Sequence, residues 1–487
     1  MNYKMVFSIL GKTLIVEGLL LLLPMFVGVI NAENSLNLIS FLVPIIISLA
    51  IGFPLAFIKR KDNNIYVKEG FVIVSLAWIF MSLIGALPFV VSGQIPNYID
   101  AFFETVSGFT TTGASILADV EVLSKSIMFW RLFTHWIGGM GVLVFLLAIL
   151  PENNSGIMHV FRAESPGPIV GKLVSKLTRT ARILYAIYIV MTVVEIILLL
   201  FGGNSFYESL LLSFSTAGTG GFSLKNSNAF GYNLYTQMVI AVFMFLFGVN
   251  FNFYYLILIK CVSKAFKLEE VRLYFIIVVL STVLIAINLL SQTANFFANL
   301  PVAFFQVTSI SSTTGLASAD FDKWPAFSRG ILTFLTIMGA CGGSTGGGMK
   351  VARLGIFAKT TAKDMKKLLH PHAVAFSKFE GQVITTETER NVKSYFLIWA
   401  FIVIISTLVL SLDYNGSAQF DGLYTNFSAT LACIGNVGPG FAGVGTIMNY
   451  AFYSAFSKCW LSFVMLIGRL EIFPVLMLFA PRTWKRL

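Results

Sequence analysis

Charged residues are scarce in this chain of 487 residues. Only 12% are Asp, Glu, Lys or Arg, and 56% are hydrophobic, whereas about 25% of a soluble globular chain is charged. This scarcity excludes a soluble enzyme of several domains. About 18 uncharged apolar residues suffice for a membrane-spanning helix, so the long uncharged stretches predict a polytopic membrane protein. These stretches are residues 34–58, 70–99, 132–151, 226–259, 273–319, 330–349, 394–412 and 422–457.

Cysteine and histidine are also rare, with four residues of each. The cysteines lack metal-ligand spacing and suggest no disulfide framework. The histidines are too few and too scattered for paired axial ligands of a b-type haem. No cleavable signal peptide is expected, because Glu17 interrupts the first apolar run and no small-residue cleavage site follows it. No cofactor is predicted for this chain.

The few charges are distributed unevenly. Residues 1–12 and five basic segments hold 27 Lys and Arg against 10 Asp and Glu: 59–69, 151–182, 259–272, 350–393 and 481–487. Cytoplasmic loops carry the excess of Lys and Arg, so both termini are predicted to be cytoplasmic. The net charge of +11 then reflects topology and contact with anionic lipid, and no nucleic-acid partner is needed. Ten spans are predicted: 5–30, 36–58, 70–92, 126–150, 182–202, 234–260, 272–291, 329–360, 393–412 and 449–480.

Four long loops between the later spans resemble one another. Each has an aromatic-rich run followed by a turn of small residues. The runs and turns are 101–109 with 110–115, 206–215 with 216–223, 303–311 with 312–317, and 423–431 with 432–438. A single such turn is an ordinary loop, but four in equivalent positions indicate an internal repeat. The predicted fold is an all-α membrane protein with an N-terminal helix pair and four fused helix–pore-loop–helix repeats around one central pore.

The turns are suited to binding a dehydrated monovalent cation. Rings of backbone carbonyls can replace the hydration shell of an ion, and glycine permits the positive φ that directs successive carbonyls to one axis. The turns contain no acidic residue, which disfavours a carboxylate ring selective for divalent ions. When the four turns are aligned with one another, Gly113, Gly220, Gly315 and Gly435 are superposed; this is called the sequence alignment below. The predicted filter residues are Thr111, Thr112, Gly113, Thr219, Gly220, Thr314, Gly315, Ile434, Gly435 and Asn436.

A glycine-rich run interrupts the predicted span 329–360. Six of its ten residues 339–348 are glycine, and glycine costs about 1 kcal/mol relative to alanine inside a helix. Close packing through small residues is one interpretation, and a mobile gate below the filter is the other. A phosphate-binding loop is disfavoured because the Walker pattern is absent. The predicted gate residues are Gly339, Gly342, Gly343, Ser344, Thr345, Gly346, Gly347, Gly348, Lys350 and Arg469.

Several charged residues near these features have two interpretations each. Arg469, within the last predicted span, either lies in the pore below the filter, or snorkels or forms a buried pair with a glutamate between helices. Glu471 is near in sequence, but positions i and i+2 on a helix do not face each other. Lys350 either lies at the inner boundary of the membrane or pairs with a carboxylate when the gate moves. Glu104 and Asp421 are expected to be helix caps that could also attract cations, and Glu17 and Glu195 lie in spans without an assigned role. His135 is expected to be a packing residue rather than a proton relay.

Two motifs accompany the four turns, WIGGMG at 136–141 and GACGGSTGGGMK at 339–350. On the basis of the turns and these motifs, the sequence resembles the TrkH-type subunits of the Trk/Ktr/HKT potassium transporters over nearly its whole length. The resemblance implies a gating role for the glycine loop and an arginine of the Arg469 kind in the pore. It also implies a cytoplasmic NAD/ATP-binding TrkA-type partner, a homodimer and K⁺ as the transported ion. In plant members Ser at the first filter position accompanies Na⁺ transport, so Gly113 favours K⁺. The second and fourth turns depart from the Thr-Thr-Gly pattern, which predicts an asymmetric ring.

The predicted function is therefore potassium uptake across the inner membrane, driven by membrane potential, and not enzymatic catalysis. The alternatives are a proton- or sodium-coupled symporter, a poorly selective K⁺/Na⁺ pore, and a membrane transferase, which is disfavoured because no convergent Asp/His/Glu set occurs in the inner loops. The expected domain boundaries are 1–62 for the helix pair and 63–160, 161–266, 267–375 and 376–487 for the repeats.

Overall fold

The computed structural model describes residues 1–58, 67–141, 177–293, 295–370, 376–413 and 420–484. Most of the basic segments 59–69 and 151–182, named above, lies outside these residues, as does the end of predicted span 126–150. The described chain is mostly helical, and its one β-structure is a short hairpin of β1 (Lys378–Phe379) and β2 (Gln382–Val383).

The N-terminal segment forms a helical pair that packs at close range. Its helices are α1 (Tyr3–Leu20), α2 (Leu22–Ile30) and α3 (Ser35–Ala56). A Cβ atom added at Gly11 would lie 2.4 Å from the backbone nitrogen of Ala56, and one added at Gly52 would lie 2.9 Å from the carbonyl oxygen of Gly11. Small residues therefore let α1 and α3 approach closely, as is usual between membrane helices.

Four units follow, and each has a long helix, a short helix, a turn and a further helix. Unit 1 contains α4 (Val67–Gly85), α5 (Leu87–Val91), α6 (Tyr98–Phe109) and α7 (Lys125–Met140). Unit 2 contains α8 (Leu177–Phe201), α9 (Phe206–Ala217), α10 (Leu234–Gly248), α11 (Phe251–Leu258) and α12 (Val262–Ala265). Unit 3 contains α13 (Glu269–Asn288), α14 (Phe296–Ser311), α15 (Ala326–Met338) and α16 (Val351–Leu369), and the hairpin follows it. Unit 4 contains α17 (Thr386–Ser411), α18 (Gly422–Ile434), α19 (Ala455–Leu470), α20 (Ile472–Phe479) and α21 (Pro481–Trp484).

The short helices begin at side-chain caps that the sequence encodes locally. Asn97 caps α6, Asn295 caps α14 and Asp421 caps α18, each by accepting a backbone N–H of the first turn. Ser205 caps α9 in a capping box with Glu208. The predicted cap at Asp421 is thus confirmed. The one predicted at Glu104 is wrong, because this residue lies in the middle of α6 and is buried.

Six helices in the described residues are long and apolar enough to cross a membrane, and a seventh span would be the bent pair α10 and α11. The six are Tyr3–Ile30, Ser35–Ala56, Val67–Val91, Ala181–Phe201, Glu269–Ser291 and Thr386–Ser411. The other three predicted spans are divided or extend beyond the described residues. The total of ten spans stays a prediction.

The helix that follows each turn ends or breaks part-way through its predicted span, whereas the sequence predicted an interruption only in unit 3. Helix α7 ends before Gly141, which has a φ of 79°. Helices α10 and α11 meet at 89°, because Asn250 caps a new helix by accepting the Asn252 N–H. Helices α19 and α20 meet at Glu471, which has a φ of 62°. The predicted spans 234–260 and 449–480 are therefore each divided into two or more helices.

Candidate ion-binding site

The four short helices end in the same backbone geometry. At each end one residue adopts a left-handed conformation: Thr111 at φ 54°, Thr219 at 54°, Thr313 at 63° and Asn436 at 51°. The same three backbone hydrogen bonds recur around this residue in every unit. In unit 1 the N–H groups of Thr110, Thr111 and Thr112 donate to the carbonyl oxygens of Val106, Gly108 and Ser107, respectively. These bonds define four equivalent turns, called turns 1 to 4 below: residues 110–113, 218–221, 312–315 and 435–438.

The turns differ in register from the sequence alignment. The residue two places after the left-handed residue is a glycine of positive φ in every turn: Gly113 at 77°, Gly221 at 84°, Gly315 at 82° and Gly438 at 91°. The alignment had superposed Gly220 and Gly435 with Gly113. In the structure Gly220 corresponds to Thr112 and Gly435 to Thr110. The alignment was wrong because turns 2 and 4 contain several glycines, and only the positive φ distinguishes the equivalent one.

The four glycines and their neighbouring carbonyls close a ring. A Cβ atom added at any of these glycines would lie 1.9–2.4 Å from a carbonyl oxygen of the next turn. The contacts run from Gly113 to Gly220, from Gly221 to Thr314, from Gly315 to Val437 and from Gly438 to Thr112. The order follows the chain and returns to turn 1. Glycine is therefore required twice at these positions, by backbone conformation and by contact with the next turn.

All four glycines border one cavity of about 130 Å³. Its other walls come from Arg131 on α7 and from the loops that follow the turns, including Lys225, Asn226, Thr446 and Tyr450. The turns are almost wholly buried, and their carbonyl and hydroxyl oxygens are uncharged. Such oxygens can replace the water around a monovalent cation without the fixed charge that would hold it too tightly.

Hydroxyl and amide groups reinforce the ring. The hydroxyls of Thr110 and Thr112 lie 2.7 Å apart, and those of Ser312 and Thr314 are also 2.7 Å apart. The Asn436 amide donates to the Thr112 hydroxyl at 3.0 Å. This bond joins turn 4 to turn 1. Asn436 is the left-handed residue of turn 4, and this position is a threonine in the other three turns.

The predicted glycine-rich segment lies directly against turns 3 and 4. It connects α15 to α16 without regular structure over 339–350, called the glycine loop below. The Gly347 N–H donates to the Thr313 hydroxyl at 2.6 Å. A Cβ atom added at Gly346 would lie 2.6 Å from the carbonyl oxygen of Ser312, and one added at Gly347 would lie 2.9 Å from that of Gly435. Small residues are therefore needed for contact with the turns as well as for flexibility.

Residues that the sequence analysis missed hold the glycine loop in place. Glu270, at the start of α13, accepts the N–H groups of Gly342 at 2.6 Å and Ala352 at 3.1 Å. The broken helix of unit 2 adds hydrogen bonds between Cys341 N–H and Gly248 O and between Phe251 N–H and Gly343 O. Nothing in the sequence marks Glu270, because 72 residues separate it from Gly342.

Arg469 bridges two parts of the site. Its guanidinium donates to the carbonyl oxygens of Thr345 in the glycine loop and of Gly139 at the end of α7, both at 2.7 Å. Glu471, two positions further along the chain, binds Arg353 at 2.6 Å. Lys350 donates to the carbonyl of Gly346. Arg469 and Lys350 thus place two cationic side chains on the glycine loop.

These features define a class, the helical membrane proteins that transport cations. The chain matches the TrkH family, described as cation transport protein, over residues 38–486, and it belongs to this family. The Trk system potassium uptake protein TrkH of Salmonella typhimurium strain LT2 is 32% identical over 495 residues, covering 100% of both chains. TrkG of Escherichia coli strain K12 is 30% identical and covers 99% of each. The crystal structure of the potassium transporter TrkH from Vibrio parahaemolyticus is similar over 100% of both chains, with a TM-score of 0.88 and 29% identity.

Proposed function

We propose that this chain is the pore-forming subunit of a potassium uptake system in the cytoplasmic membrane, and not an enzyme. Its relatives are named potassium uptake proteins. The observation that carries the proposal is the closed ring of glycines and carbonyls in turns 1 to 4. A ring of oxygens around one axis is the arrangement by which a pore replaces the hydration shell of a cation.

The proposed filter consists of the carbonyls of Thr112, Gly220, Thr314 and Val437, with the glycines that follow them. Thr111, Thr219 and Asn436 would line the base of the filter. In turn 4, Val437 and Gly438 take the places that the sequence alignment gave to Ile434 and Gly435. The four units are proposed to be pore repeats around this single pore, with the boundaries 63–160, 161–266, 267–375 and 376–487.

The glycine loop is proposed as the gate. Its contact with Thr313 places it next to the base of turn 3, and Arg469 adds a positive charge that opposes a passing cation. Opening would require the loop to give up its bonds to Glu270 and Arg469. The gate is therefore held by specific hydrogen bonds, and its motion is less free than the glycine content alone predicts.

Topology and partners complete the proposal. With ten spans and both termini on the cytoplasmic side, the loops after the turns would form an outer vestibule. A cytoplasmic TrkA-type subunit that binds NAD or ATP would dock on the basic inner face, and two copies of the chain would form a homodimer with one pore each.

The direct test is ion flux into proteoliposomes that contain the purified chain, with K⁺, Rb⁺ or Na⁺ and a set membrane potential. We expect K⁺ and Rb⁺ flux that follows the potential, and slower Na⁺ flux. Equal flux of K⁺ and Na⁺ would support a poorly selective pore instead. No flux of any cation, from protein that reconstitutes as folded, would contradict the proposal.

A proton-coupled symporter is the second candidate, because two acidic side chains lie wholly buried in spans. Glu17 is in α1 and Glu195 is in α8, both with no exposed surface. Carboxyl groups at membrane depth commonly carry protons in transporters. K⁺ flux driven by a pH gradient alone, and lost in Glu17→Gln or Glu195→Gln, would favour this candidate. A sodium-coupled symporter would instead respond to a Na⁺ gradient.

A further inference from the structure

Two side chains on α7 extend from unit 1 to the segment that follows turn 2 in the neighbouring unit. The Arg131 guanidinium donates to the carbonyl oxygen of Ser223 at 3.0 Å. One helical turn later, His135 Nε2 accepts the N–H of Phe222 at 3.2 Å. Both side chains are almost wholly buried, at 2% and 0% exposure. The segment that follows Gly221 is thus held from unit 1 at two successive residues.

His135 also fills a space that a side chain occupies in the other turns. Its Nδ1 lies 2.8 Å from the carbonyl oxygen of Gly108. A carbonyl can only accept, so Nδ1 carries the hydrogen and Nε2 is free to accept from Phe222. A Cβ atom added at Gly220 would lie 2.1 Å from the ring of His135. The imidazole therefore stands where the equivalent residues Thr112, Thr314 and Val437 have their side chains.

Arg131 is neutralised by a buried partner, Glu104, that binds the segment after turn 1. Its Nε lies 2.7 Å from Glu104 Oε1, and its guanidinium stacks 3.7 Å over the ring of Phe222. Glu104 also accepts the Ser115 hydroxyl at 2.9 Å and the Ile116 N–H at 3.0 Å. The pair thus joins the segment after Gly113 to the segment after Gly221.

Equivalent positions in the other units do not provide this arrangement. The residue seven places before the left-handed residue is Glu104 in unit 1, whereas units 2, 3 and 4 have Leu212, Gln306 and Ala429 there. A carboxylate at this position is therefore specific to unit 1. The Glu104–Arg131 pair consequently braces the ring on the side where turns 1 and 2 meet.

We propose that Glu104, Arg131 and His135 are positioning residues that fix the spacing between turns 1 and 2, and that they thereby determine K⁺ over Na⁺ selectivity. The inference rests on the proposed function of the ring. Oxygens held at the spacing suited to K⁺ cannot close around the smaller Na⁺, whereas a loosened turn can. Arg131 and Glu104 act through the backbone of the turns, so no contact with the ion is assigned to them.

The test compares selectivity in Glu104→Gln, in Arg131→Lys and in the double variant Glu104→Gln/Arg131→Gln. Each purified full-length chain is reconstituted, and the ratio of K⁺ to Na⁺ flux is measured at a fixed potential. The ratio does not depend on how much protein is folded, so it separates positioning from stability. We expect it to fall about tenfold, which corresponds to roughly 1.4 kcal/mol of discrimination.

The matched control is Glu208→Gln in the next short helix, where the acid pairs with Lys225 at 3.4 Å and is partly exposed. Its ratio should equal that of the parent. The double variant leaves no unpaired buried charge, so it decides the question if a single variant does not fold. A parent-like ratio in the double variant, or an equal fall in the control, would overturn the inference. A parent chain without K⁺ preference would instead refute the proposed function.

Discussion

The register of turn 4 can be tested by comparing two glycine substitutions three residues apart. Gly438 has a φ of 91° and Gly435 a φ of −78°. Alanine at Gly438 would place its Cβ atom 2.4 Å from the carbonyl oxygen of Thr112. At Gly435 the nearest contact would be 2.9 Å, to the carbonyl of Leu431. The first substitution acts on the ring, and the second acts on the end of α18.

The expected magnitude follows from the displacement of the Thr112 carbonyl. A carbon lies about 3.3 Å or more from such an oxygen, so the carbonyl must withdraw by roughly 1 Å. If it carries about half an elementary charge, withdrawal from about 2.8 to about 3.8 Å from a cation loses roughly 0.8 kcal/mol at an effective dielectric of about 20. This loss corresponds to about a fourfold weaker binding of K⁺.

Gly438→Ala should therefore raise the KM for K⁺ uptake about fourfold, and Gly435→Ala should change it less than twofold. The assay is the K⁺ dependence of initial uptake in proteoliposomes at a fixed potential. The reasoning is refuted if Gly435→Ala weakens K⁺ binding more than Gly438→Ala, because the ring would then contain the residues of the original sequence alignment.

Four further outcomes are expected. Gly113→Ser should admit Na⁺, measured as a lower K⁺/Na⁺ flux ratio, and an unchanged ratio would remove this position from the filter. Deleting residues 343–346 should raise K⁺ flux with nearly unchanged ion preference, and parent-level flux would leave the glycine loop as a packing feature. Arg469→Ala should also raise K⁺ flux, by about tenfold. The repulsion between two unit charges about 4 Å apart is roughly 4 kcal/mol, and water and counter-charges reduce it to about 1.4 kcal/mol. K⁺ flux that does not increase in this variant would contradict the gate. Burial raises the pKa of Asp322 from 3.8 to about 6, so its contribution to stability is greatest below pH 4 and is lost as the pH rises through 6. As the pH is raised from 4.5 to 7.5, the melting temperature of Asp322→Asn should therefore fall less than that of the parent. Equal falls in the two proteins would contradict the raised pKa of Asp322.

The membrane class and the positions of the four turns could be predicted from sequence because both depend on local patterns. Uncharged stretches reveal spans, and aromatic runs that end in small residues reveal turns. The family assignment made from the motifs at 136–141 and 339–350 is confirmed by the match over residues 38–486.

The register of turns 2 and 4 could not be predicted in the same way. Gly220 and Gly221 are identical letters, and only the backbone distinguishes the one with a φ of 84°. Gly220 is a glycine for another reason, since the ring of His135 occupies the space beside it. His135 and Gly220 are 85 positions apart in the chain and belong to different units, so the local sequence does not indicate this contact.

The supports of the site were missed for a related reason. Glu270 binds the glycine loop, and Glu471 binds Arg353, which lies 118 positions earlier in the chain. In a chain with few charges each acid has several possible basic partners, and separation along the chain does not show which of them it binds. Pairing between helices is set by tertiary packing, which the spacing of charges alone does not specify.

The central claim is that the carbonyl ring of turns 1 to 4 binds K⁺. It is tested most directly by crystals of the protein grown in Rb⁺, a heavier analogue, with anomalous scattering used to locate the ion. The account predicts an anomalous peak on the axis of the ring, within about 3 Å of the carbonyl oxygens of Thr112, Gly220, Thr314 and Val437. A well-ordered ring without such a peak, with Rb⁺ bound at another place in the protein, would contradict it.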